Sequence, residues 1–258
     1  MSRMEAPLVD ALWHFRYRCR KRPHGLQRLA LDPDSATLGV DLGDGVAETV
    51  FAEARWHDPV AYGVHTVGEV RLSRRRGSGL VEWPFDLGSE PEGTRLVAVL
   101  AGFEIDLGDR PIAGVSELSA FVGVPGAEGR TNAGVSVGSR RDPELEASMT
   151  LLVLAVPADR LEVHTPKSEG LRRGGFEPHQ QPLASTIGPQ TLRPLGVAGF
   201  GFHLSARRPD HPTPRRLREL GISVNGLVMR WHCSTANTFT RTTRVRATAT
   251  VPCVVMQP

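Results

Sequence analysis

The chain has 258 residues, 40% of them apolar and 23% charged, with a formal charge of +3. That balance excludes a disordered chain and leaves room for one large domain or two to three small ones. No apolar run approaches the roughly 20 residues of a membrane-spanning helix.

Of the 31 basic residues only Lys21 and Lys167 are lysine, so the basic character rests on arginine. The opening stretch, "MSRMEAPLVDALWHFRYRCRKR", puts its charge after its apolar residues, the reverse of a signal peptide. This predicts a cytoplasmic protein, or one released without a classical signal. Cys19, Cys233 and Cys253 are an odd set with no CxxC spacing. They predict buried thiols, with no zinc and no other cofactor.

Along the chain, short runs alternate apolar with polar residues between glycines and prolines: "HFRYRCR", "LGVDL", "EVRLS", "GFEIDL", "GFGFHL" and "RVRATATV". Period-two runs bounded by turn residues predict antiparallel strands. In "HFRYRCR" one face is wholly arginine (Arg16, Arg18, Arg20), and "RLSRRRG" from Arg71 adds more. Together they could grip a polyanion, or they could be charged edge strands that block edge-to-edge pairing. "DPDSATLGVDLGDG", from Asp32, holds four aspartates without EF-hand spacing, so a turn followed by a hairpin is expected over a calcium site. Only "DPELEASM", Asp142 to Met149, reads as a two-turn helix.

Three segments share an order of features: "PLVDALWHFRYRCRKRP", "RLVAVLAGFEIDLGDRP" and "RPLGVAGFGFHLSARRP". Each carries an apolar run, a phenylalanine (Phe15, Phe103, Phe200), an alternating strand and then Arg-Pro. Each is followed by a strand ending at a turn glycine (Gly45, Gly126, Gly226). The fold class predicted is all-β, with three tandem small antiparallel β-sandwich units over 1–78, 79–160 and 191–258. A Pro/Gly-rich linker is expected over 161–190, and units this small would pack together, with pseudo-threefold symmetry.

In the third unit Asn225-Gly226 is a strong hairpin signal. A two-residue loop there opposes Val224 to Leu227, Ile222 to Met229 and Leu220 to Trp231 on an apolar face. Ser223, Gly221 and Glu219 then oppose Val228, Arg230 and His232 on a polar one. Arg-Trp-His also occurs upstream at Arg55-Trp56-His57. A Trp-His pair ahead of a final strand, preceded by "RRLRELGISV", resembles the H-type lectin domain. That resemblance implies a small sandwich that forms threefold assemblies and binds sugars through a Trp-His pair and an arginine. It points to Arg218, Trp231 and His232 as ligand-binding residues, with Trp56 and His57 as a second copy.

"GVSVG" around Ser136 matches a nucleophile-elbow pattern, but an all-β chain lacks the strand-to-helix turn an elbow requires. "HLSARRPDH" brings His203, Asp210 and His211 together without a compact metal-ligand spacing. The expected function is therefore non-enzymatic carbohydrate binding, with a glycan or other polar ligand as partner and neither membrane nor nucleic acid. A structural or assembly component built from β-sandwiches is one alternative, and a polyanion-binding module is the other.

Overall fold

A computed structural model describes residues 8–19, 25–34, 37–43, 51–57, 62–109, 111–123, 125, 129–173, 183–188, 191–205, 216–225, 227–235 and 242–256. Eighteen strands make up nearly all of it. They run β1 (Leu8–Arg18), β2 (Arg28–Asp32), β3 (Thr37–Asp41), β4 (Phe51–His57), β5 (His65–Ser78) and β6 (Leu80–Asp86). Then come β7 (Thr94–Asp106), β8 (Glu117–Val122), β9 (Arg130–Gly138), β10 (Glu144–Pro157), β11 (Leu161–His164) and β12 (Lys167–Arg173). The last six are β13 (Leu183–Thr186), β14 (Leu192–Pro194), β15 (Gly199–Ser205), β16 (Leu217–Asn225), β17 (Val228–Thr235) and β18 (Thr242–Val255). Among the described residues no helix is long and apolar enough to cross a membrane.

The strands form three antiparallel sheets. The first is ordered β13-β17-β16-β1-β4, the second β3-β2-β7-β10-β5 and the third β11-β18-β15-β8-β9-β6, with β12 and β14 also bonded to β18. The alternating sequence runs alternate in burial, as in Glu117–Val122 and Arg28–Asp32, because one face of each sheet meets the core and the other meets solvent. β7 departs from this: every residue from Leu96 to Phe103 is buried. Its inward residues join the main core, while Val97 and Val99 face a second cluster with Leu154, Val156, Leu195 and Val254. A continuous apolar run is what a strand covered on both faces requires.

Each sheet is centred on one of the three phenylalanine-bearing strands. Phe15, Phe103 and Phe200 meet in the interior, with ring centroids 5.5, 5.3 and 5.6 Å apart. Tilted and edge-to-face contacts at these distances add about 0.5–1.5 kcal/mol each beyond the burial of the rings. On one side each of these strands is bonded to a hairpin from elsewhere in the chain. β2–β3 joins β7, β8–β9 joins β15, and β16–β17 joins β1. On its other side β7 is bonded to β10, β15 to β18 and β1 to β4. Hydrogen bonds therefore cross the expected boundaries at 78 and 160, and none of the three segments keeps its hairpin within its own sheet.

Two further expectations are corrected. Glu144–Pro157 is a strand, not a helix, because "LEASMTLLVLAV" alternates strictly in burial over its first half and pairs with β5 and β7 on both sides. The stretch 161–190 is not a free linker, since it contributes β11, β12 and β13. Lys167–Arg173 runs antiparallel to Thr242–Thr248 and Leu183–Thr186 to Val228–Trp231, covering ladder groups on β18 and β17 that would otherwise be open edges. Residues 174–182 lie outside the described ones.

Candidate binding groove on the third sheet

The hairpin signal correctly divides the two faces of β16 and β17 but misplaces the turn. Asn225 pairs with Val228, Val224 with Met229 and Ile222 with Trp231, so each partner lies two residues farther along than Asn225-Gly226 as the loop would give. A slip of two preserves which face each side chain occupies. Trp231 accordingly lies wholly inside, with Ile222 and Val224, and cannot stack on a ligand. His232 sits opposite Gly221 and is half-buried, while Glu219 pairs with Arg16, whose Nε donates to Oε1 at 2.7 Å.

Arg218 Nε donates to the Cys19 carbonyl at 2.9 Å, fastening the end of β1. Trp56 and His57 are in β4, and their side chains lie outside the described residues. Both Arg-Trp-His copies thus belong to the first sheet, with β16 and β1 between β17 and β4. One copy belongs to a hairpin and the other to a strand bonded directly to β1.

The arginine-rich stretches are largely engaged with carboxylates. Arg71 bonds Glu69 at 2.5 Å, Arg74 reaches Asp106 at 2.6 Å and Glu146 at 2.8 Å, and Arg76 also meets Glu146. Arg20 lies outside the described residues. The aspartates of 32–45 serve turns, with Asp32 accepting from the Asp34 amide at 2.9 Å and Asp41 from the Gly43 amide at 2.8 Å. Among the described residues no group of three or more His, Cys, Asp and Glu could hold a metal. Asp210 and His211 lie outside those residues. The three cysteines are buried thiols.

What the structure assembles instead is a groove of about 600 Å³ on the outer face of the third sheet. Three cross-strand rows build it. The middle row runs Lys167, Thr248, Gly201, Ser119, Ser136 across β12, β18, β15, β8 and β9. Beside it lie Glu169, Arg246, His203, Glu117, and on the other side Thr250, Gly199, Phe121, Gly134. Gly199 and Gly201 leave the centre of the floor without side chains.

Phe121 has glycine on both flanks, so its ring lies down along the sheet. A Cβ on Gly134 would stand 2.5 Å from Phe121 Cζ, which shows that the ring covers this glycine. Aromatic cover of a strand glycine steadies a sheet in its own right, and Phe121 also lines the groove. Ser136 Oγ donates to Glu117 Oε1 at 2.9 Å and so fixes the carboxylate, while His203 Nδ1 lies 4.0 Å from Oε2. The "GVSVG" serine is therefore mid-strand and bonded to a carboxylate, not exposed on an elbow.

The rows beside the central strand differ in the other two sheets. Arg28 meets Glu104 at 2.8 Å in the second, and Arg16 meets Glu219 in the first. The matching positions in the third sheet are Gly201 and Glu117, so there a glycine stands where the central strand of the other sheets carries the charged partner. Sequence reasoning treated "GFGFHL" as a strand and did not isolate the groove residues. The signal lay in glycines recurring on one face of a strand, Gly199 with Gly201, and Gly134 with Gly138 on either side of Ser136.

No family model matches the chain, and neither the curated proteins nor the solved structures contain a match.

Proposed function

We propose that the chain is a non-enzymatic carbohydrate-binding protein whose saccharide lies in the groove of the third sheet. The observation that supports this is the Phe121 ring, which covers Gly134 and lines the groove beside a floor of glycine backbone. Sugar rings have apolar C–H faces that seek such a platform and hydroxyls that need both donors and acceptors around it. Glu117 supplies an oriented acceptor, Arg246 and Lys167 supply donors, and Ser119, Thr248 and His203 can serve as either. Ser136 donates to Glu117 and not to an imidazole, so no imidazole base is placed to activate its hydroxyl.

The H-type lectin resemblance enters this proposal only as a class of ligand, since Trp231 is buried and Arg218 holds a backbone carbonyl. The threefold reading also belongs here. If β1, β7 and β15 are equivalent strands, each receives the hairpin of the copy before it, and the chain is a trimer made from one polypeptide. Two of its three outer faces are then closed by ion pairs and one is left open.

A glycan array followed by calorimetric titration tests the proposal. Phe121→Ala should weaken saccharide binding at least about tenfold, the loss of one aromatic contact together with its excluded water. Glu117→Gln should weaken it to a similar degree, with both variants folded and the Phe121→Ala melting temperature lower by a few degrees, about 2–4 °C, for the lost cover of Gly134. An array without signal, or binding indifferent to Phe121→Ala and lost on His232→Ala, would overturn the assignment of this site.

A further inference from the structure

The two walls of the groove carry opposite charge. On the β8 side stands Glu117, held by Ser136. On the β12 and β18 side stand Lys167 and Arg246, with Arg244 beyond them on β18, and among the described residues Glu169 is the carboxylate that meets the two arginines. That carboxylate lies 2.9 Å from Arg244 Nε as an ion pair and 3.6 Å from Arg246 Nε. Lys167 is exposed and has no ion-pair partner among the described residues. Between the walls the floor is made of Ser119, Gly201 and Thr248, with His203 beside them.

The spacing of the walls follows from the ladder. Ser119 and Lys167 lie in one row with β15 and β18 between their strands, three steps apart. At about 4.8 Å per step this is roughly 14 Å, a width that one or two pyranose rings span. A sugar ring resting on Phe121, with hydroxyls toward Ser119 and Glu117, would carry substituents of its far side over Lys167 and Arg246. A hydroxyl there would meet cations only weakly engaged by Glu169, whereas an anionic group would complete them. A continuous polyanion fits poorly, because Glu117 would face its charge across the same groove.

Resting on the carbohydrate reading above, we infer that the ligand is an acidic saccharide of one or two rings. Its hydroxyls are held by Glu117, and its acid group by Lys167 and Arg246. Uronate and sulfate share this chemistry, and the test separates them.

The intact chain is titrated calorimetrically with three probes: an unsulfated disaccharide containing glucuronate, the same disaccharide with its carboxyl reduced to an alcohol, and a sulfated form of the reduced disaccharide. The uronate should bind about tenfold more tightly than the reduced form, the size of one charge-assisted hydrogen bond. The preference should narrow as salt rises, because both cations are exposed. Lys167→Gln with Arg246→Gln should bring the ratio to about one, whatever both forms lose in hydroxyl contacts to these two side chains, and both side chains are exposed enough that the fold is retained. A gain for the sulfated form alone would place the acid as a sulfate and still support the inference. Equal binding of acidic and reduced forms by the parent protein would overturn the inference and leave the carbohydrate reading standing. No binding of any of the three would overturn both.

Discussion

Tyr17 lies wholly inside the core, and its hydroxyl has no hydrogen-bond partner among the described residues. Burial is the main reason its ionisation is pushed well above the ordinary value of 10.0, with Cys233, Cys19 and Glu219 adding to the effect. Cys253 is pushed up to about 12 from 9.0, again by burial first and by Glu162 second. Both groups hold their proton more tightly folded than unfolded. The stability they contribute is therefore full below pH 9 and is lost as pH climbs from about 9 through 12 and beyond. Urea midpoints measured against pH should stay level up to about 9 and then fall. Tyr17→Phe should make that fall shallower and leave the stability at neutral pH unchanged or raised by up to about 1 kcal/mol, because an unpaired buried hydroxyl is removed. A thiol reagent at pH 8 should leave Cys253 unlabelled until denaturant is added. At this scale the sequence was informative about direction: the Asn-Gly hairpin turned Trp231 inward, and the structure has it there. It was silent on contact, since nothing in "RRLREL" announces that Arg218 holds the Cys19 carbonyl or that Glu219 meets Arg16.

Single strands show where pattern is enough and where a neighbour decides. Period-two alternation located β3 and β15 because each has one wet face. Helix preference was overruled in Glu144–Met149, where Glu, Leu, Ala and Met lie between β5 and β7 and take their ladder partners from both. β12 shows the opposite failure: "KSEGLRR" has little strand preference of its own, and the open side of β18 makes it a strand. The groove was hidden for a related reason. A glycine at every second position says that one face is bare, but only register reveals that Gly134 and Gly199 flank the same phenylalanine. Gly134→Ala tests that placement. The added methyl would sit 2.5 Å from Phe121 Cζ, so the ring must lift away from the sheet. Saccharide affinity should drop several-fold, while the melting temperature falls by only about 2–4 °C, a cost of about 1 kcal/mol for a chain of this size.

At the scale of the molecule, three rings from three sheets share one interior, and every hairpin is bonded to a strand from another part of the chain. No third of the polypeptide can leave without opening a ladder in a neighbouring sheet. Calorimetry should therefore show one transition, with van't Hoff and calorimetric enthalpies agreeing, and not three. Phe103→Ala removes one ring from contact with both others, and should destabilise the whole by about 3–5 kcal/mol while keeping the transition single. The matching phenylalanines of the three segments were visible in the sequence and do meet. That the hairpins would cross between segments was not visible, because alternation fixes which side of a strand is apolar and says nothing about which strand lies beside it.

The same crossing governs how the protein comes off the ribosome. Arg16 and Glu219 are 203 residues apart, yet their strands are neighbours. At about 5–20 residues per second, the edge of Leu8–Arg18 that Leu217–Asn225 will cover waits roughly 10–40 s for it to be synthesised. Through that interval an apolar ribbon stands open on one side, so a translating chain of this kind depends on a holding chaperone, or on dilution, far more than the finished molecule does.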